Sequence, residues 1–457
     1  MSAPVRAQPT DQRALIRTEV PGPKSRRLRM VEDAHAAPGL QRYATSSGIV
    51  VDRARGSAVT DVDGNTYLDL VGGIGTGSLG HAHPRFVSAV AAQAERMAVG
   101  SFTSEARVEL LTRFAAHPPA PGLTRMQLYS SGAEAVESAL RLAKSATGKH
   151  EFVSFWGGFH GKTMGALSLM GTRFKHGLGP MVPGAHLVPY ADCYRCPLAL
   201  SYPSCGLACV EVAKKQLEAA STGSIAAFVI EPMQGSAGNV VPPPEFLPAV
   251  AELAREHGAL LIADEMITGF GRTGRWFGVD HTGVRPDVVT LGKGMGGGFP
   301  VSAVATTDAI ASARPWSEPS GSSSSYGGNP LAAAAAAAVL ATIEDEALVD
   351  NARDVGRAMR DMLLPFVERY PFVGEVRGQG LLLAIELVRD KETKEPLSRD
   401  ACSFVFREAV ARGLLAMAYA PRVRLQPALT IDAATAANAV EILREVFDAL
   451  ARSGAWR

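Results

Sequence analysis

Short apolar runs alternating with helical stretches constrain this chain more than any other feature. Strand-like runs at residues 126–129, 152–155, 225–231, 260–264 and 288–291 are separated by segments with helical spacing. Parallel strands need a crossover long enough to hold a helix, so this alternation predicts a mostly parallel sheet with helices on both faces. The expected fold class is α/β. In such sheets ligands collect beyond the carboxyl ends of the strands, where loops lead into helix N-termini.

Ahead of the alternation, residues 59–70 read as two strands joined by a tight turn at Asp63-Gly64-Asn65. Behind it, the Ala-rich run 330–343 reads as one long helix, followed by a helix at 351–367, strands at 381–387 and 423–425, and a helix at 434–451. At 457 residues the chain is long enough for more than one hydrophobic core. The expected division is an N-terminal segment 1–65 that joins a small domain, a large domain 66–340, and a C-terminal α+β domain 341–457, with the boundary near Ala341.

Charge excludes several function classes. Lys plus Arg (46) and Asp plus Glu (45) leave a net charge of +1, so no general field draws in nucleic acid or an anionic membrane. The basic residues Arg13, Arg17, Lys24, Arg26, Arg27 and Arg29 are interrupted by Glu19, Glu32 and Asp33, which reads as a solvated lead-in. No apolar run approaches the ~20 residues of a membrane span, and residues 1–29 lack the apolar core of a secretory signal, so the expected location is cytoplasmic.

Four of the five cysteines, Cys193, Cys196, Cys205 and Cys209, form C-x2-C-x8-C-x3-C in an insertion near 190–210. The pattern could present thiolates to zinc, but its central spacer is shorter than in common zinc ribbons. Reduced or locally cross-linked structural thiols are the preferred reading, and no metal is expected.

The residues that carry chemistry sit where strands end. Ser130-Ser131-Gly132-Ala133-Glu134 follows a strand and opens a helix, so its N–H groups and helix dipole suit a phosphate, although an ordinary N-cap would look the same. Trp156-Gly157-Gly158-Phe159-His160-Gly161 puts aromatic rings and an imidazole on a glycine-rich loop, where a ring could stack on a heterocycle or plug the core. Asp264 and Glu265 end a buried strand and need cationic partners. For Glu265 an ion pair with Arg272 is expected; for Asp264 a protonated ring nitrogen serves equally well. Lys293 stands between glycines directly after the strand 288–291, a setting that suits a nucleophilic amine.

Together with Glu231-Pro232-Met233-Gln234-Gly235, Gly269-Phe270-Gly271-Arg272-Thr273-Gly274 and Tyr326-Gly327-Gly328-Asn329-Pro330, these segments resemble the class III aminotransferases. That family is the pyridoxal-5′-phosphate (PLP) dependent, fold type I group that includes ornithine and 4-aminobutyrate aminotransferases. The likeness runs from about Pro21 to the C-terminus. It implies a large domain with a mostly parallel sheet and a smaller α+β domain built from both chain ends. It also implies Lys293 as the Schiff-base lysine and proton carrier, and Asp264 as the partner of the pyridine nitrogen. Phe159 would stack on the ring, with Met266 near its other face, His160 beside it and Gln234 at the phenolic oxygen. Ser131, Gly132 and Ala133 would hold the phosphate. Ser325, where the family usually has Thr, would complete the phosphate site of the partner subunit, so a homodimer with shared sites follows. The run 322–325 also reads as flexible enough to gate a site.

By the same resemblance Trp156 and Arg424 face the substrate, Arg424 gripping a carboxylate. Ser236 stands where the aminobutyrate and ornithine enzymes often have Glu, which speaks against those two substrates. The reaction implied is transamination between a small amine or amino acid, or an amino sugar of a biosynthetic pathway, and a keto acid or aldehyde. The Pro21-Gly22-Pro23-Lys24-Ser25 opening and the Cys-rich insertion are similar to a branch that also holds amino-acid racemases and epimerases. A non-catalytic binding module on the same fold is disfavoured, because it need not keep both Lys293 and Asp264.

Overall fold

In the computed structural model, which describes residues 11–457, one compact unit spans Arg85–Val349. Residues 1–10 of the lead-in lie outside the described residues. The centre of this unit is a seven-stranded sheet. Its order is Arg125–Tyr129, Ser302–Thr306, Val288–Leu291, Leu260–Asp264, Ile225–Ile230, Glu151–Phe155 and Ala185–Val188. The last five in that order pair in parallel. Ser302–Thr306 runs antiparallel to both its neighbours and, with Ala185–Val188, is absent from the strands expected from sequence. Every residue of Ile225–Ile230 is buried, which is why these strands read as continuous apolar runs without alternation.

The helix Gly132–Thr147 covers one face of this sheet. Ser131 caps it by accepting from Glu134 N, and Gly148 ends it at φ 67°. Its Ala135, Val136, Ala139 and Leu140 pack with Tyr129, Val229, Ile262, Val288 and Val304, so apolar burial fixes the position of the helix N-terminus. Pro330–Asp345 is the expected Ala-rich helix, opened by Pro330 and capped by Asn329 Oδ1 accepting from Ala332 N at 2.8 Å.

The other unit joins residues up to Pro84 with Asp350–Arg457. The Asp63-Gly64-Asn65 turn lies between Ala58–Asp61 and Thr66–Asp69, and Leu414–Leu415 pairs in parallel with the second of these strands. That pairing stitches the two chain ends into one four-stranded sheet; a three-stranded sheet of Val373–Gln379, Leu382–Leu387 and Arg422–Leu425 completes the unit. The units divide at Pro84 and Val349, away from the expected boundaries at 65 and 340. Ala341 is only 1% exposed and lies inside the helix Pro330–Asp345, and a packed helix does not split; the chain turns at Ala347, where φ is 52°. Among the described residues no helix is long and apolar enough to cross a membrane.

One glycine sets how closely the aromatic loop meets the capped helix. Gly161 has φ 135°, and a Cβ there would lie 2.7 Å from Ala133 Cβ. Strain and overlap should act together, so Gly161→Ala is expected to cost about 1–3 kcal/mol of stability. Urea unfolding of variant and parent checks this, and an unchanged midpoint would show that the loop yields freely.

Candidate active site

The site begins with strand register. Asp264 and Thr290 are partners on adjacent parallel strands, which brings Lys293 to the same edge of the sheet, just past the end of its own strand. Lys293 adopts φ 43°, a left-handed backbone that side chains rarely take, so the chain turns sharply there. It is partly buried, and the flanking Gly292 and Gly294 are buried.

Asp264 is almost fully enclosed and its oxygens are held by three donors. Oδ1 accepts from Thr290 Oγ1 at 3.0 Å and Met266 N at 3.1 Å, and Oδ2 lies 2.7 Å from His160 Nδ1. The His160 and Asp264 side chains are each 1% exposed. His160, placed among the cofactor contacts by resemblance, thus has Asp264 as its partner in the structure. Burial opposes its charged form, but the hydrogen bond and negative charge of Asp264 outweigh that, and the imidazole stays protonated above its ordinary range.

Ser131 opens the helix, and the N–H groups of Gly132 and Ala133 in its first turn lack helical acceptors. The Glu134 carboxylate folds back onto Ser130 N at 3.0 Å. Ser302 Oγ donates to Ser131 O at 2.7 Å, tying the antiparallel strand to this turn. Met266 fills the space between the turn and the lysine: its Sδ would sit 3.0 Å from a Cβ on Gly132 and 2.7 Å from one on Gly292.

Along the aromatic loop, Phe159 is half-buried and meets Phe174 edge-on at 5.6 Å, while Trp156 is exposed and donates its indole N–H to Leu187 O at 3.1 Å. Gln234 Nε2 donates to Trp156 O at 2.9 Å. Ser236 is exposed and Ser325 is exposed. Ser322, the first residue of the run expected to be flexible, is buried: its carbonyl accepts from Tyr129 OH at 2.9 Å and its hydroxyl lies 3.1 Å from Ser138 Oγ. In the other unit, Arg424 lies on the strand Arg422–Leu425 with Nη2 3.3 Å from Met417 Sδ.

One further expectation changes. Glu265 does not rely on Arg272: its oxygens accept from Gly278 N and Val279 N, both at 2.8 Å, and from the Thr268 hydroxyl. Burial still pushes its carboxyl up to about 7. Cys193, Cys196, Cys205 and Cys209 line one small cavity as free thiols, and burial pushes Cys193 up to about 11. Among the described residues no group of three or more His, Cys, Asp or Glu side chains is arranged to hold a metal ion.

A family model described as "Aminotransferase class-III" matches residues 41–447. The chain belongs to the class III aminotransferases. An acetylornithine aminotransferase of Streptomyces coelicolor is 41% identical over 83% of this chain and 86% of its own length. A leucine/methionine racemase of Thermococcus litoralis is 34% identical over 86% of this chain and 88% of its own. The crystal structure of an amine transaminase from an uncultivated Pseudomonas species, in its PLP-bound form, aligns with a TM-score of 0.84 at 34% identity, covering 91% of this chain and 98% of that one. The fold is therefore the fold type I architecture of PLP-dependent transferases, and the cofactor of this aminotransferase is PLP.

The residues fit that cofactor by the chemistry of their donors. A buried carboxylate, a lysine amine and unfilled helix N–H groups at one sheet edge match a pyridine nitrogen, an aldehyde and a phosphate. Sequence reasoning gave no role to Thr290, which orients Asp264, or to Glu231, whose oxygens reach two loops. A lone hydroxyl in the apolar run Val288-Val289-Thr290-Leu291 was the available signal for the first.

The His160–Asp264 pair yields a direct measurement. The nitrogen-15 NMR midpoint of His160 is expected above the free-imidazole value of 6.5, and Asp264→Asn is expected to lower it. Because the folded value is raised, this pair contributes stability below pH 6.5 that fades as pH rises through the folded midpoint. A midpoint below 6.5 in the parent would mean that burial wins over the carboxylate.

Proposed function

We propose that this class III aminotransferase moves an amino group from a small amine or amino acid to a keto acid or aldehyde, with Lys293 as cofactor-linked base. The observation that carries the reading is the register of Asp264 with Thr290, which brings a buried carboxylate and a lysine to one sheet edge. When bound, PLP supplies an electron sink for negative charge at the amine's α-carbon. Lys293 would carry the proton from that carbon to the cofactor's C4′ carbon, and back again when the acceptor is aminated. The buried carboxylate of Asp264 favours a protonated ring nitrogen, and His160 orients that carboxylate through Oδ2. Phe159 and Met266 would flank the ring, Gln234 would meet the phenolic oxygen, and Ser131, Gly132 and Ala133 would bind the phosphate. Ser325 of the partner subunit completes that phosphate site in a homodimer.

Arg424 is assigned to a substrate carboxylate because its planar fork matches one, and Trp156 to the substrate because the residue is 41% exposed. Ser236 in place of the Glu common in the aminobutyrate and ornithine enzymes favours other amines, amino sugars included. The likeness to the Thermococcus litoralis racemase supports a second reading, isomerisation of an amino acid on the same scaffold.

One assay separates them. The holoenzyme is mixed with a panel of amines and amino-acid enantiomers, and loss of the visible cofactor absorbance is followed with and without a keto acid. A transaminase turns over only with the acceptor; sustained conversion of one enantiomer into the other without it would favour the racemase. Borohydride reduction and peptide mapping are expected to place the cofactor label on Lys293, and Lys293→Ala is expected to abolish turnover with the fold intact. Label on another lysine would overturn the assignment.

A further inference from the structure

The carboxylate of Glu231 follows the strand Ile225–Ile230, is 6% exposed, and has no part in the chemistry described above. Its two oxygens serve different loops. Oε1 accepts from Phe159 N at 2.9 Å, and Oε2 accepts from Gly235 N at 3.0 Å. The first loop carries Trp156, Phe159 and His160; the second carries Gln234. A parallel tie runs from Gln234 Nε2 to Trp156 O at 2.9 Å, and Gly157 leaves the room for it, since a Cβ there would fall 2.7 Å from Gln234 Oε1. From the other side the hydroxyl of buried Tyr190 lies 3.1 Å from Glu231 O and 3.2 Å from Pro232 O, fixing the turn between the strand and Gln234.

Charge accompanies geometry. The charged groups acting on His160 are Asp264 and Glu231, which favour its protonated form, and Lys293, which opposes it. Burial lifts the carboxyl of Glu231 above the ordinary range, while His160 pulls it down and Asp264 pushes it up. Accepting two N–H groups, one on each oxygen, is what an ionised carboxylate does and what an amide cannot do.

We propose that Glu231 is a positioning residue that clamps the Phe159 loop to the Gln234 loop and supplies negative charge beside the His160–Asp264 pair. The proposal rests on the assignment of Phe159, Gln234 and Asp264 as cofactor contacts. Clamping sets the gap between the stacking ring and the amide that meets the phenolic oxygen, so it acts on cofactor binding. The charge acts on the proton of His160.

Two readouts on Glu231→Gln test this. The PLP dissociation constant, measured by equilibrium dialysis, should rise about tenfold, because the amide turns an N–H donor toward one of the two backbone donors. The nitrogen-15 midpoint of His160 in the holoenzyme should fall, a shift that lost packing alone would not produce. Glu231→Asp keeps the charge and shortens the reach: its dissociation constant should rise while its His160 midpoint stays near that of the parent. In the parent, independently of any variant, the amides of Phe159 and Gly235 should exchange slowly with solvent. An unchanged dissociation constant or midpoint in Glu231→Gln, or exchange of both parent amides at the rate of free loops, would overturn the proposal. Borohydride label missing from Lys293 in the parent would instead overturn the reading beneath it.

Discussion

The rest of the structure depends on one buried carboxylate at a strand end. Ionised carboxylates are costly to remove from water unless partners meet them, and Asp264 is met by Thr290, Met266 N and His160. Each partner comes from a different source: the neighbouring parallel strand, the turn that follows Asp264, and the aromatic loop. Parallel register is what lets a hydroxyl at Thr290 reach across, and the same register delivers Lys293. One sheet edge therefore gathers the carboxylate, the lysine and the imidazole.

Around that carboxylate the chain spends its tight contacts on loops instead of on the strands. Gly132 and Gly292 leave room for Met266, Gly161 lets the aromatic loop touch the helix at Ala133, and Gly157 admits Gln234. These glycines explain why the loops read as permissive in sequence yet are closely packed in the fold. Glu231 and Gln234 then bind two such loops to each other by side-chain to backbone hydrogen bonds, so neither loop depends on its own conformational preference.

Much of this was legible from residues alone, and the exceptions have physical causes. Leu260–Asp264 and Val288–Leu291 were read to the residue because strands buried on both faces are written as unbroken apolar runs. Ser302–Thr306 escaped because its small residues follow a glycine-rich turn, and neither alternation nor bulk marks it. Arg272 was a poor guide to Glu265, since the backbone N–H groups of Gly278 and Val279, distant in sequence, satisfy that carboxylate first. Within the serine run Ser322 turns inward to Tyr129 and Ser138 while Ser323 and Ser325 stay exposed, a split only tertiary packing reveals. Lys293, Asp264 and the Ser131 turn were singled out by resemblance, and the structure sets all three at strand ends.

In the proposed reaction the Asp264 carboxylate supplies the charge on which the chemistry runs. Turnover of Asp264→Asn, measured on protein shown to hold PLP in full, tests it most directly. The variant is expected to keep its cofactor and to lose at least about a hundredfold in turnover, the scale on which preorganised charge acts in an enclosed site. Near-normal turnover with the cofactor in place would contradict it and mean that another residue holds the ring nitrogen.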